Sequence, residues 1–318
     1  MKTTQNKTRG FTIIELLTVM SIIVVLIGLL VPALNKVRRY AQDVSQQAQL
    51  HSIDTALSLF LNFDESDNYP DSKGQDIMGS AYSGAMKLSE AMMGQDLMGF
   101  HPGSRFRLDG TDGRATPTKI YEPGVPNLQE NLKQRRGTNL PEDNANAFRL
   151  SSIYSPADLS GSAFAGTLAS EMFVLCDVYK RVDNLGPTGG TKIGMPILYY
   201  KADPSGSYHD VNAPVQPDRL SNNGFIYNVY DNDDIVQMGK PWETVDSTQK
   251  QHVLSVSQSG IQKFYEETEN KQISITSTAT VNLGLSKRPY RADTFILMSA
   301  GFDGEYGTAD DVTNFKKK

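Results

Sequence analysis

The stretch from Phe11 to Leu34 is apolar apart from a few small polar residues and carries one ionisable side chain, Glu15. No other feature constrains the chain as strongly. As a helix rising about 1.5 Å per residue, its roughly 24 residues span about 36 Å, more than the ~30 Å hydrocarbon core of a bilayer. Lys2, Lys7 and Arg9 precede it with no acid among them. The positive-inside rule therefore predicts a cytoplasmic N-terminus, a single crossing, and everything beyond Leu34 on the far side. A secretory signal has a shorter apolar core followed by a small-residue cleavage site; here the apolar core runs on into a helical pattern. A plain membrane anchor accounts for that much. It does not account for Glu15, because an acid inside a spanning helix is costly and marks a partner or a function.

Beyond Pro32, apolar residues recur at Val37, Tyr40, Ala41, Val44 and Ala48, then at Ile53, Leu57 and Phe60. This spacing predicts an amphipathic continuation of the helix over 35–63, broken or bent where the Pro32 ring removes a backbone hydrogen bond. Turn-forming residues in NFDESDNYPDSKG end it. Residues 80–100 read as a helix with a methionine-rich face toward the core. Residues 101–145, rich in Gly, Pro, Asp, Asn and Arg, read as an irregular excursion. Strands are expected at Glu171–Tyr179, Pro196–Lys201, Gly224–Tyr230, Ile273–Leu283 and Thr294–Ser299, with a second head helix within 246–268. The fold class is α+β: a long N-terminal helix packed on an antiparallel sheet, the head occupying 64–318 with a large insertion over about 64–170.

The net charge of −5 argues against a nucleic-acid partner, and the basic clusters Arg135–Arg136 and Lys316–Lys318 read as solvated surface. With Cys176 as the only cysteine, no intrachain disulfide is possible, and its apolar surroundings mark it as a small core residue. The four histidines, His51, His101, His209 and His252, are scattered, with no HExxH arrangement, and no GxSxG elbow is present.

The leader ending at Gly10, the aromatic Phe11, Glu15 at the fifth place after that glycine and Pro32 further on lie in the register of one known family. Over about its first 40 residues the chain resembles the type IV pilin superfamily, which includes the pseudopilins of type II secretion. The resemblance implies cleavage between Gly10 and Phe11 by a prepilin peptidase on the cytoplasmic face, N-methylation of Phe11, and a helix kink at Pro32. The new α-amine at Phe11 would be a cation in or near the membrane, and Glu15 of a neighbouring subunit would neutralise it, since a buried pair costs far less than either charge alone. One such contact repeated head to tail without closing a ring gives a helical filament. Glu15 is then an assembly-register residue with no catalytic part.

A second cluster lies at the C-terminus, where SAGFDGEYGTADDVTNF follows an apolar strand. Asp303, Glu305, Asp310 and Asp311 crowd one glycine-rich loop within 299–314, and carboxylates this close repel unless a cation intervenes. Hard oxygen ligands on such a loop suit Ca²⁺, although the spacing is not that of an EF-hand; a solvated acidic loop is the alternative. The loop resembles the C-terminal calcium loop of major pseudopilins, which implies Asp303, Asp310 and Asp311 as side-chain ligands, with carbonyls near Ser299 and Val312. The head is larger than that family's, and residues 64–245 find no counterpart in it. A third acidic cluster, Asp231 to Asp234, reads as a polar turn.

These readings converge on a non-enzymatic pseudopilin of a type II secretion-type filament, held in the inner membrane with its head in the periplasm. Its partners would be further copies of itself, other pseudopilins, the peptidase and an inner-membrane secretion platform. A type IV pilin for adhesion, motility or DNA uptake is the alternative. A membrane-anchored enzyme or carbohydrate-binding protein is a third reading, with Trp242, Tyr199, Tyr200, Tyr227 and Tyr230 as its stacking surface.

Overall fold

The apolar run and its amphipathic continuation form one helix, α1, over Ile13–Phe63. The computed structural model describes residues 11–63, 68–141, 145–187, 189–243, 250–255, 257–272 and 287–316. The expected strand Ile273–Leu283 lies outside those residues. The chain divides into two units, ending at Val44 and beginning at Ser45.

In the first unit every residue from Phe11 to Ala41 is exposed. A helix apolar on all sides has no protein core to enter here, and it is long and apolar enough to cross a membrane. Pro32 sits inside it without breaking it. A proline deletes its own N–H and crowds one carbonyl, while the hydrogen bonds of the flanking turns carry the helix through.

The second unit is built on a sheet buried on both faces. Strands β1 (Ala147–Arg149) and β2 (Phe173–Leu175) pair antiparallel, and β3 (Val182–Asp183) and β4 (Lys192–Ile193) form a separate small hairpin. Strand β5 (Leu198–Lys201) pairs with β6 (Phe295–Ser299), which pairs with β7 (Val312–Thr313), all antiparallel. A bridge between Cys176 and Pro196 joins β2 to the approach of β5, with Ile197 N donating to Leu175 O at 2.7 Å. The central order is thus β1-β2-β5-β6-β7.

Alternation along the strands assigns the two faces. Leu175, Tyr199, Phe295 and Leu297 face a core that includes Leu50, Ile53, Leu57 and Phe60 of α1 and Leu88, Met92 and Met93 of α2 (Gly84–Met93). Val174, Cys176, Leu198, Tyr200, Ile296 and Met298 face the other core, closed by Phe264 and Tyr265 of a later helix. The expected packing of the long helix on the sheet is thus one side of a three-layer arrangement, and the expected second head helix closes the other.

Two side-chain amides fasten α1 to the sheet. Gln46 Oε1 accepts from Val178 N at 2.9 Å, and Gln49 Nε2 donates to Cys176 O at 2.9 Å. Helix α2 lies close against β5, and a Cβ on Gly84 would fall 2.3 Å from Tyr199 O. The predicted helix over 80–100 is shorter than expected because Gly94, at φ 77°, turns the chain out of it. Its methionines Met86, Met92 and Met93 are core, whereas Met98, beyond the helix, is 44 % exposed.

Among the described residues the remaining α-helices are short: α3 (Leu128–Gln134), α4 (Leu150–Ile153), α5 (Pro156–Ser160), α6 (Asp233–Met238) and α7 (Gln258–Thr268). Ser257 caps α7, accepting from Gly260 N at 3.2 Å. Two expectations fail. Gly224–Tyr230 is not a strand: Asn228 accepts from Tyr230 N at 3.0 Å and turns the backbone into a 3₁₀ helix over Val229–Asn232. Arg135 is not solvated surface. Its guanidinium is 1 % exposed, pairs with Asp96 at 2.5 Å and donates to Ile120 O at 2.8 Å, pinning the irregular 101–141 excursion to the residues after α2.

Candidate functional site

The start of α1 holds the sequence-predicted processing and assembly residues. Gly10 lies outside the described residues, and Phe11 is 80 % exposed. Thr12 and Glu15 form a reciprocal capping box. Glu15 Oε2 accepts from Thr12 N at 2.9 Å and from Thr12 Oγ1 at 2.8 Å, while Glu15 N donates to Thr12 Oγ1 at 3.3 Å. A helix leaves its first N–H groups without partners, and this device satisfies two of them. The T-x-x-E spacing was legible in the sequence, where Glu15 was read only as an intermolecular partner. Both intrahelical bonds fall on Oε2, which leaves Oε1 without a hydrogen bond among the described residues. One carboxylate can thus cap its own helix and still accept a bond from a second molecule.

The far end of the apolar run carries a feature the sequence reading passed over. Lys36, Arg38 and Arg39 follow Leu34 closely, so as many side-chain cations flank the run on this side as Lys2, Lys7 and Arg9 supply on the other. Charge count alone does not fix the orientation.

The C-terminal loop closes on itself. Asp310 Oδ2 accepts from Asp303 N at 3.0 Å, and Asp303 Oδ1 accepts from Glu305 N at 2.8 Å. The Thr308 hydroxyl lies 3.0 Å from Asp303 Oδ2 and 2.6 Å from Asp310 Oδ1, between the two carboxylates. Gly301, at φ 68°, lets the loop ends cross, since a Cβ there would meet Asp310 O at 2.4 Å. Burial raises the Asp303 carboxyl. Asp310, despite its burial, is held below the ordinary carboxylate range by the Thr308 hydroxyl and the Asp303 N–H. Asp311 Oδ2 accepts from Gly307 N at 2.8 Å, but Oδ1 is buried without a partner, and burial pushes this carboxyl up to about 8. Glu305 pairs with Lys240 at 3.1 Å.

Asp303 and Asp310 thus form a pair of hard oxygen donors. The full three-carboxylate set does not converge: among the described residues, no group of three or more His, Cys, Asp or Glu side chains is gathered to hold a metal ion. The other acidic cluster is a structural hub. Asp231 accepts from Ser72 Oγ at 2.5 Å, Asp233 and Asp234 pair with Arg219 at 2.7 and 2.5 Å, and Asn232 bridges Ala85 N and Tyr199 O. Tyr199, Tyr200 and Tyr227 fill the core, and Trp242 packs on Arg181 and Gly304, so the five aromatics form no stacking cleft.

Comparison with known families matches the Prokaryotic N-terminal methylation motif over residues 5–31. No curated protein and no solved structure matches the chain. The match contains Gly10, Phe11 and Glu15 and stops short of Pro32 and the head. The chain therefore carries a type IV pilin-like prepilin N-terminal segment, of the kind that prepilin peptidase processes.

Proposed function

We propose that this protein is a structural subunit of a type II secretion-type filament, a pseudopilin with an enlarged head. The methylation motif over residues 5–31 carries the reading. On it, peptidase cuts between Gly10 and Phe11 and methylates the new amine of Phe11. The subunit is stored in the inner membrane through α1, with its head in the periplasm. Assembly stacks the apolar helices, and Glu15 of one copy takes the Phe11 amine of the next on its Oε1 while Oε2 keeps the cap. Extension of that filament, with other pseudopilins and on an inner-membrane platform, would do mechanical work and no catalysis. A single cysteine favours this over a type IV pilin closed by a C-terminal disulfide.

The reading extends to the C-terminal loop as a structural Ca²⁺ site. Asp303 and Asp310 would supply the first ligands, and Asp311 would join after a local rearrangement, because the three do not already converge.

Mass spectrometry of the protein from its native membrane tests the core of this: a mature chain starting at a methylated Phe11 is expected. Glu15→Ala should still insert but yield no filaments. A chain that starts at Met1, or filaments of normal yield from the variant, would refute it.

A further inference from the structure

We propose that Lys36, Arg38 and Arg39, with Tyr40, form a collar that binds anionic phospholipid headgroups at the end of the apolar run remote from the leader, and that it is the electrostatic anchor left to the subunit once the leader is removed. The first half stands on the geometry of the helix; the second rests on the cleavage proposed above.

Position is the first argument. Lys36 lies about 32 Å along the helix from Glu15. If Glu15 sits at one boundary of a ~30 Å hydrocarbon core, the residues from Lys36 to Tyr40 enter the opposite headgroup layer. Tyr40, 71 % exposed, is the amphipathic aromatic that such an interface collects. Between Glu15 and Asp43 the only ionisable side chains except Tyr40 are these three cations, on a chain that is acidic overall.

Direction is the second argument. At about 100° per residue, Lys36, Arg38 and Arg39 project at about 0°, 200° and 300° around the axis. The three cations therefore fall within one arc of about 160°, which Tyr40 extends to about 200°, so the helix turns one broad basic side to the headgroup layer. All three are exposed, and Lys36 and Arg38 have no ion-pair partner among the described residues.

The consequence concerns charge balance. The uncut chain has three side-chain cations at each end of the run. Removing the leader deletes Lys2, Lys7 and Arg9 and leaves the collar, so the segment changes from one with side-chain cations at both ends to one with them at a single end, its other end carrying only the Phe11 amine.

The test is native mass spectrometry of two chains, one with the leader and one starting at Phe11, released from detergent holding equal phosphatidylglycerol and phosphatidylcholine. The shorter chain should retain phosphatidylglycerol preferentially, by about fivefold per cation at low salt, and lose most of that preference in added salt. The triple variant Lys36→Gln, Arg38→Gln, Arg39→Gln should bring the ratio of the shorter chain close to one, with its helix content intact by circular dichroism. In the longer chain the same variant should keep part of the preference through the leader. Equal retention of the two lipids by the shorter chain would overturn the proposal. So would an unchanged ratio in the variant combined with failed assembly, which would assign the cations to a neighbouring subunit. A native N-terminus at Met1 would remove the claim about cleavage while leaving the lipid result to stand or fall alone.

Discussion

Glu15 and Asp311 show how one carboxylate can serve two partners or lack one. Glu15 is occupied on one oxygen by Thr12 and open on the other. Asp311 is the reverse case, with one oxygen held by Gly307 N and the other buried without a hydrogen-bond partner. A buried, unsatisfied carboxylate raised to about 8 is an energetic burden near neutral pH, relieved either by a proton or by a cation. Asp311→Asn should therefore raise the melting temperature in chelator by removing a carboxyl that must be either protonated or buried as a charge. If the loop binds Ca²⁺, the wild type should gain several degrees on adding it and the variant should gain little. Thermal melts of a fragment beginning at Ser45, with and without Ca²⁺, separate the cases. Identical wild-type curves would mean the loop takes no calcium, and the gain of the variant would then be the same in both buffers.

At the scale of elements, α1 has two different jobs along one continuous helix. Leu57 is fully buried against the sheet, whereas Val37 is 63 % exposed. Leu57→Ala should destabilise the head by about 2–5 kcal/mol, the usual cost of a cavity. Val37→Ala should change head stability by less than about 0.5 kcal/mol. Urea unfolding checks both, and equal effects would contradict the division. The periodicity of residues 35–63 made this helix legible in the sequence, and runs of β-branched and aromatic residues bounded by turn formers made β5 and β6 legible as well. What stayed hidden was set by the bonds of single side chains. Asn228 diverts an expected strand through one hydrogen bond, and Arg135 turns an apparently solvated segment into a buried clamp. Composition reports neither: the Asn228 bond closes over two residues, and the Arg135 clamp reaches back 39 residues to Asp96. The candidate site divides the same way. Gly10, Phe11 and Glu15 are a local motif and were readable, whereas the failure of Asp303, Asp310 and Asp311 to converge depends on how the loop folds back.

For the head as a whole, the buried carboxylates set the pH response. Burial raises Asp177 and Asp231 to about 7 and Asp233 to about 6. In the unfolded chain such groups titrate near 4. The folded head therefore holds protons that the unfolded chain has lost, and the stability they lend disappears as pH rises through about 6 to 7. His209 and His252, lowered by burial to about 3, act in the opposite direction: unfolded histidines take up protons below about pH 6.5, so stability falls again in acid. The melting temperature should rise by a few degrees from about pH 8.5 to about pH 6.5, at up to about 1.4 kcal/mol per proton per pH unit. A melting temperature that is highest at the alkaline end would show that these carboxyls are ionised without penalty. The two glutamine hooks of α1 have a consequence of another kind. Gln46 and Gln49 grip Val178 N and Cys176 O, on the chain just after β2, one turn of helix apart. A pull along the rod would strain both grips together, along with the apolar seam beneath them, and would not unzip them in succession. Traction would thus reach the interior of the globule at its central sheet.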